Sequence, residues 1–396
     1  MPINRLTIAA AFIALLFVLE AVPRAAAQQV KEFSTRATSV FLLDVDSGAV
    51  LYAKDPDKSF SPASLAKLMT AEMTFAALKA GEVTAATEFR ISEHAWRTGG
   101  APSRTATMFA VLNSSVVVSD LLQGLIVIFG NDAAIALGEG LAGSEPEFVT
   151  RMNARAAELG LRGTAFVNAS GLPGEGQKTT MRDVAMLAAH VWAQYPDRRA
   201  LYVQPDFTWT KITQQNRNPL LKLGIGADGF VTGFAEGEGF SIAATLARGD
   251  RRLVLAAAGF ESDKQRLEET RAILEWGMSA FDKIDIFAAD DIVGQASVFG
   301  GTRGSVDLTA KQRVSILIPS SGDLDIRARI IYQGPVRAPV AAGDAVGHLL
   351  VTSDGLPIQE VPLYAAEPVE EGGLWQRAVG ALYELAFGWF RSVQAG

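Results

Sequence analysis

No stretch limits the fold of this chain as much as the one from Val40 to Thr70. Val40-Phe41-Leu42-Leu43 and Ala49-Val50-Leu51-Tyr52 flank Asp46-Ser47-Gly48, the pattern of a β-hairpin. The chain then passes through Ser61-Pro62-Ala63-Ser64-Leu65-Ala66-Lys67-Leu68-Met69-Thr70 into an apolar helix expected to run to about Ala80-Gly81. On that helix Ser64 and Lys67 are three residues apart and share one face. A serine hydroxyl is a weak nucleophile until a neighbouring base takes its proton, and a desolvated lysine can be that base. A Ser-x-x-Lys pair is common enough to arise by chance, so its meaning depends on its surroundings.

Downstream, a polar region from Glu88 to Ala106 contains Trp96 and Gly99-Gly100. Ser119 is placed to cap a helix beginning at Asp120, interrupted at Gly130-Asn131-Asp132 before a second helical run from Ala133. Helices are also expected from Ser144, with Glu147 completing a capping box, and from Thr180. Strand-like runs follow at Phe207–Ile212, Phe240–Leu246 and Arg252–Ala258, with the glycine-rich stretch Gly224–Gly239 between the first two. A helix from Asp263 to Phe281 closes this part. Strands at the front and back with helices between them predict an α+β sandwich rather than a doubly wound sheet. The remainder, with short β-rich segments at Val306–Leu308, Val314–Ile318, Ile326–Tyr332 and His348–Val351, reads as a small all-β domain. The expected divisions are 1–27, 28–282, 283–366 and 367–396.

The two ends are distinctive. Arg5, the apolar run Ile8–Leu19 and Ala25-Ala26-Ala27 form the pattern of an export signal cleaved after Ala27. The alternative, a membrane anchor, is disfavoured because the run is well short of the ~20 residues that span a bilayer. At the other end Leu374, Trp375, Val379, Leu382, Leu385, Ala386, Trp389 and Phe390 share one helical face, with Arg377, Glu384 and Arg391 opposite. This amphipathic helix suits a membrane interface or a protein surface, behind a hinge at Glu370-Glu371-Gly372-Gly373. With 49% hydrophobic residues and 20% charged ones the chain is globular in composition, and a net charge of −7 argues against nucleic acid as a partner. Cysteine is absent, which excludes disulfides and thiol chemistry. His94, His190 and His348 lie far apart without metal spacing or a serine partner, and Asn168-Ala169-Ser170 is an incidental glycosylation sequon.

In its order of features the chain resembles the low-molecular-mass penicillin-binding proteins, the serine D-alanyl-D-alanine carboxypeptidases. The resemblance rests on the hairpin, Pro62-Ala63-Ser64-Leu65-Ala66-Lys67-Leu68-Met69-Thr70, Asp120-Leu121-Leu122-Gln123-Gly124-Leu125-Ile126 and Gly130-Asn131-Asp132-Ala133-Ala134. It extends through Asn216-Arg217-Asn218-Pro219-Leu220-Leu221 and Gly226-Ala227-Asp228-Gly229 to the β-rich region and the tail. It implies a transpeptidase domain of the penicillin-binding-protein/β-lactamase type, an antiparallel sheet with helices, then a small all-β domain and the C-terminal amphipathic helix. It further implies a periplasmic enzyme, peripheral on the inner membrane where the tail docks there, that removes the terminal D-Ala from peptidoglycan stem peptides. No cofactor or metal is implied, and β-lactams would be covalent inhibitors if Ser64 is active.

By the same resemblance Ser64 is the nucleophile, Lys67 the base, and Asn131 the last residue of a Ser-x-Asn motif. Thr232 and Gly233 belong to a Lys-Thr-Gly motif, and the backbone N–H groups of Ser64 and Phe234 line an oxyanion site. Arg217 and Arg252 match basic positions that could hold a substrate carboxylate bidentately. Two motif side chains differ: Phe129 stands at the serine of Ser-x-Asn, and Val231 at the lysine of Lys-Thr-Gly. Losing the hydroxyl removes acid–base help worth about 10²–10⁴ in rate, and losing the ammonium removes a contact worth about 1.5–3 kcal/mol. Two readings stay open: a carboxypeptidase with altered activity, and a member that binds muropeptide or a partner without turnover. β-Lactam hydrolysis is disfavoured, since no Glu-x-x-Leu-Asn loop supplies a deacylating base.

Overall fold

The computed structural model describes residues 33–320, 326–353 and 356–375; the expected export signal and most of the expected C-terminal helix lie outside them. The first part begins with the expected hairpin, β1 (Ser39–Asp44) and β2 (Val50–Lys54), and a 3₁₀ turn (Ala63–Ala66) leads into α1 (Lys67–Ala80). A small ribbon, β3 (Glu88–Arg90) with β4 (Ser115–Val117), precedes α2 (Val118–Ile126), α3 (Asn131–Ala142), α4 (Glu145–Glu158), α5 (Met181–Gln194) and the short α6 (Ala200–Val203). Strands β5 (Asp206–Trp209) and β6 (Ile212–Gln215) form a second ribbon. Then come β7 (Ala227–Ala235), β8 (Gly239–Arg248), β9 (Arg251–Phe260) and α7 (Asp263–Ser279).

The main sheet is antiparallel, in the order β2-β1-β9-β8-β7, so strands from both ends of this region meet in one layer. Its central strands are buried on both faces, which explains their near-continuous apolar sequences. Phe41, Leu43, Val254 and Ala256 face the helical layer, whereas Val40, Leu42, Leu253 and Leu255 face α7 through Ile273 and Leu274. This is the expected α+β sandwich. Helix α1 is buried around most of its circumference and serves as the core helix of the layer, which accounts for its lack of a polar face.

Several local expectations hold. Gly81 ends α1 in the left-handed conformation, and Ser144 and Thr180 cap α4 and α5 by accepting the N–H groups of Glu147 and Asp183. Others need correction. Helix α2 starts at Val118 without a side-chain cap, so Ser119 lies inside its first turn. The run Phe207–Ile212 is a hairpin, turning where Thr210 takes φ 55°. The final helix stops at Ser279, and Phe281 already opens β10 (Phe281–Phe287).

The second part is all β: β10, β11 (Ile292–Phe299), β12 (Ser305–Thr309), β13 (Val314–Pro319), β14 (Ile326–Tyr332), β15 (Val336–Arg337), β16 (Ala345–Ser353) and β17 (Leu356–Ala365). Six strands form a sheet in the order β14-β16-β17-β12-β11-β15, and β10 pairs with β13. The two parts touch where Arg251 donates to the Phe281 carbonyl at 2.7 Å and Gln359 donates to the Ser47 carbonyl at 3.2 Å.

Candidate active site

Ser64 sits in the 3₁₀ turn and Lys67 on the first residue of α1, so the expected shared helical face becomes a turn feeding a helix. Lys67 Nζ lies 3.1 Å from Ser64 Oγ and donates to the Ser170 carbonyl at 2.6 Å. Lys67 is 3% exposed, whereas Ser64 is only half-buried, so the hydroxyl is the accessible member of the pair and the amine the buried one. Burial, reinforced by the positive charge of Arg217 and opposed by Asp132, lowers the Lys67 ammonium to about 7. The balance that sequence alone leaves open therefore falls on the side of a neutral amine.

The turn is held by close backbone contacts. Ala63 has φ 45°, and its carbonyl lies so near Gly171 that a Cβ there would come within 1.7 Å of it. Gly171, itself at φ 79°, is the residue type that such an approach requires. It belongs to a loop fixed by Asn168, whose Oδ1 accepts from the Gly171 N–H at 2.7 Å and whose Nδ2 donates to the Leu172 carbonyl at 2.8 Å. The sequence Asn168-Ala169-Ser170 is thus the segment that aims a carbonyl at Lys67.

Asn131 opens α3, with its N–H on the Ala106 carbonyl and its Nδ2 on Thr105 Oγ1 at 2.8 Å. Among the described residues its amide bonds Thr105 rather than Lys67. Beside it the buried Asp132 carboxylate accepts from Thr107 Oγ1 and from the N–H groups of Met108, Ala110 and Ala133. Burial pushes this carboxyl up, against the pull of those hydrogen bonds.

Strand β7 forms the other wall. As an edge strand it pairs with β8 alone among the described strands of this sheet, leaving one row of backbone groups unpaired by a further strand. Gly233 lies opposite Ser241, and a Cβ on it would come within 2.6 Å of Ser241 Oγ and 3.3 Å of the Ala63 Cβ, so glycine brings strand and turn together. Thr232 is half-buried beside it. Phe234 is 57% exposed at the rim, its ring 4.7 Å from that of Phe240.

The two divergent motif side chains meet at Lys67. Phe129, buried at φ 55°, and Val231, buried on β7, line one small cavity with Lys67, Phe230 and Tyr202. Where the family pattern would place a hydroxyl and an ammonium, the wall is apolar.

The two arginines separate. Arg217 follows the ribbon of β5 and β6, with its N–H on the Val127 carbonyl, and its exposed side chain has no ion pair among the described residues. Arg252 is held at 2.8 Å by both Asp228 Oδ1 and Thr245 Oγ1, and lies 3.8 Å over the Trp192 ring. Its guanidinium is engaged within the fold, which counts against a substrate-binding role. Each histidine is paired with a glutamate: His94 with Glu145, His190 with Glu72, and His348 with Glu360. Sequence reasoning passed over Ser170, Thr105 and Tyr202, which reach these residues from a remote loop, a neighbouring loop and a distant short helix.

This arrangement is shared with known proteins. The profile of peptidase family S11, D-alanyl-D-alanine carboxypeptidase, matches residues 25–261, and that of the penicillin-binding protein 5 C-terminal domain matches residues 281–371. The D-alanyl-D-alanine carboxypeptidase DacC of Escherichia coli is 34% identical over 382 residues, 96% of either chain. The crystal structure of penicillin-binding protein 5 from Haemophilus influenzae superposes with a TM-score of 0.79 at 33% identity, covering 86% of this chain and 99% of that one. Penicillin-binding protein D2 from Listeria monocytogenes in its ampicillin-bound form is 26% identical with a TM-score of 0.54, covering 62% of this chain and 99% of that one. With these matches spanning both parts of the structure, the chain belongs to the serine-type D-alanyl-D-alanine carboxypeptidases, the low-molecular-mass penicillin-binding proteins.

Proposed function

We propose that this chain releases the terminal D-Ala from peptidoglycan stem peptides through an acyl-enzyme on Ser64. The observation that carries this reading is the buried Lys67 amine, held near neutrality 3.1 Å from Ser64 Oγ. As Ser64 Oγ bonds to the carbonyl carbon, its proton passes to Lys67 Nζ; the proton then goes to the departing D-Ala amine as the C–N bond breaks. The N–H groups of Ser64 and Phe234 receive the oxyanion, and the substrate backbone lies along the open edge of β7 past Thr232 and Gly233. Arg217, without an ion pair among the described residues, is the cation for the terminal carboxylate, since Arg252 is engaged by Asp228. Asn131 acts on the substrate side of the site. Water then hydrolyses the ester.

Attack by Ser64 depends on groups that are all present, whereas Phe129 and Val231 remove partners of proton transfer to the departing amine and of carboxylate binding. D-Ala leaves in the acylation step itself, so the expected outcome is ready acylation by penicillin, whose leaving amine stays tethered in the opened ring, with slow acylation by the peptide and slow D-Ala release. β-Lactams present the same reactive carbonyl, and the ampicillin-bound relative supports them as ligands. Export by residues 1–27 would place the enzyme in the periplasm. Exposure of Leu374 and Trp375, 88% and 80%, supports a C-terminal helix that docks on the membrane surface. Among the described residues no helix is long and apolar enough to span a membrane.

The test incubates the protein with a labelled penicillin and with a pentapeptide ending in D-Ala-D-Ala, beside Ser64→Ala. Labelling and D-Ala release that vanish in the variant support the reading. Absence of both in the parent protein would replace it with a binding role without turnover, which the missing motif hydroxyl at Phe129 and ammonium at Val231 favour.

A further inference from the structure

The cavity behind Lys67 measures about 10 Å³, enough for one water molecule. Its walls are apolar, from Leu125, Ile126, Phe129, Phe230 and Val231, except for two side chains that carry polar groups: Lys67 and Tyr202. Both have unused hydrogen-bonding capacity. Tyr202 is 5% exposed, and its hydroxyl has no hydrogen-bond partner among the described residues. Burial raises its ionisation far above the usual phenol range, so it stays protonated throughout the working pH range. Among the described residues Lys67 Nζ has two hydrogen-bond partners, Ser64 Oγ and the Ser170 carbonyl, whereas an ammonium carries three N–H donors. A buried hydroxyl without a partner costs as much as a lost hydrogen bond, and a third ammonium proton facing an apolar wall costs more.

We propose that this cavity is a hydration site in which one water bridges Lys67 Nζ and the Tyr202 hydroxyl, making Tyr202 a positioning residue for the base. The inference rests on the reading of Lys67 as the proton acceptor for Ser64. In the neutral amine, the lone pair faces the Ser64 hydroxyl, one N–H faces Ser170, and the other donates to the water. When the proton moves from Ser64 Oγ to Nζ, the ammonium keeps the water and the Ser170 carbonyl as acceptors. Its new N–H faces Ser64 Oγ, ready to pass to the departing amine. The water and Tyr202 keep their own protons throughout and supply the polar contact that Phe129 and Val231 cannot give. The charged and titratable groups around this unit are Arg217 and Asp132, both common to the parent and the variant below.

Tyr202→Phe removes the oxygen and leaves the ring that packs edge-on at 4.8 Å from Phe230, so the fold is retained. Three measurements test the proposal. A high-resolution crystal structure of the parent protein should contain an ordered water between Nζ and the phenol. NMR titration of labelled lysine should place Lys67 about one unit lower in Tyr202→Phe, the loss expected when a charged group loses a hydrogen bond. The acid limb of the pH profile for penicillin acylation should move by the same amount, with a lower plateau. A cavity without water, or an unchanged Lys67 titration, overturns the hydration site even if the enzyme is active. Failure of the parent protein to acylate refutes the proposed reaction instead, and the crystal structure and the NMR titration still decide the site.

Discussion

Replacing Lys67 with methionine tests whether the base is held neutral by the fold. The folded protein depresses this ammonium from 10.5 to about 7, so between those values the unfolded chain binds a proton that the native state does not. Stability due to this site therefore rises with pH across that window, and the cost of burying the lysine is greatest at its acid end. At pH 7 the cost works out at about 4 kcal/mol, and at pH 10 at about 1 kcal/mol. Methionine fills a similar volume without that cost, but it leaves the Ser170 carbonyl without its donor, a loss of about 1–3 kcal/mol at either pH. Lys67→Met should therefore be more stable than the parent by about 1–3 kcal/mol at pH 7, and at pH 10 equal to it or less stable by up to about 2 kcal/mol. Urea unfolding of both proteins at the two pH values, followed by tryptophan fluorescence, measures the difference, from which titrations shared by the two chains cancel. A stability difference independent of pH would refute a depressed lysine and, with it, Lys67 as a neutral base. The same variant should lose penicillin labelling, so that stability is gained where activity is lost.

Restoring polar groups to the apolar wall should raise turnover: Val231→Lys is expected to increase D-Ala release by about 10- to 100-fold, the equivalent of one charge-assisted contact. Adding Phe129→Ser should increase it further, and an unchanged rate in a variant with parental thermal stability would refute the role assigned to these positions. Away from the site, Arg155→Ala should destabilise the protein by about 3–5 kcal/mol, because it strips two hydrogen bonds from the fully buried Glu72. Burial raises the Glu72 carboxyl, but hydrogen bonds from His190 and Arg155 outweigh it and hold it below its ordinary value. The stability it contributes is therefore present above the unfolded carboxylate pKa and lost as pH falls through the lower folded value, a dependence that Arg155→Ala should weaken in acid unfolding.

Features written into local sequence were the legible ones. The hairpin, the caps at Ser144 and Thr180, the glycine that ends α1 and the Ser64–Lys67 pair depend on residues within a few positions of one another, and all four appear in the structure. The hairpin at Thr210 was misread because its turn carries no glycine, asparagine or proline, and β10 was absorbed into α7 because Phe281 continues the apolar spacing of the helix. The chemistry of the site was legible only as a set of names. Its electrostatics depend on distances between segments remote in sequence: Ser170 below Lys67, Arg217 within reach of its charge, and Tyr202 on the far side of the same cavity. The substitutions at 129 and 231, two separate losses in the sequence, form a single wall in space. That wall supplies the desolvation that the proposed mechanism needs, because an ammonium neighbour at 231 and an apolar lining both favour a neutral Lys67, one by repulsion and the other by excluding water. Proton acceptance by Lys67 can therefore survive both replacements, while the carboxylate contact at 231 and the hydroxyl at 129 cannot. The consequence is a site in which acylation by penicillin and D-Ala release from the peptide are separable, which measuring both on the same sample would resolve.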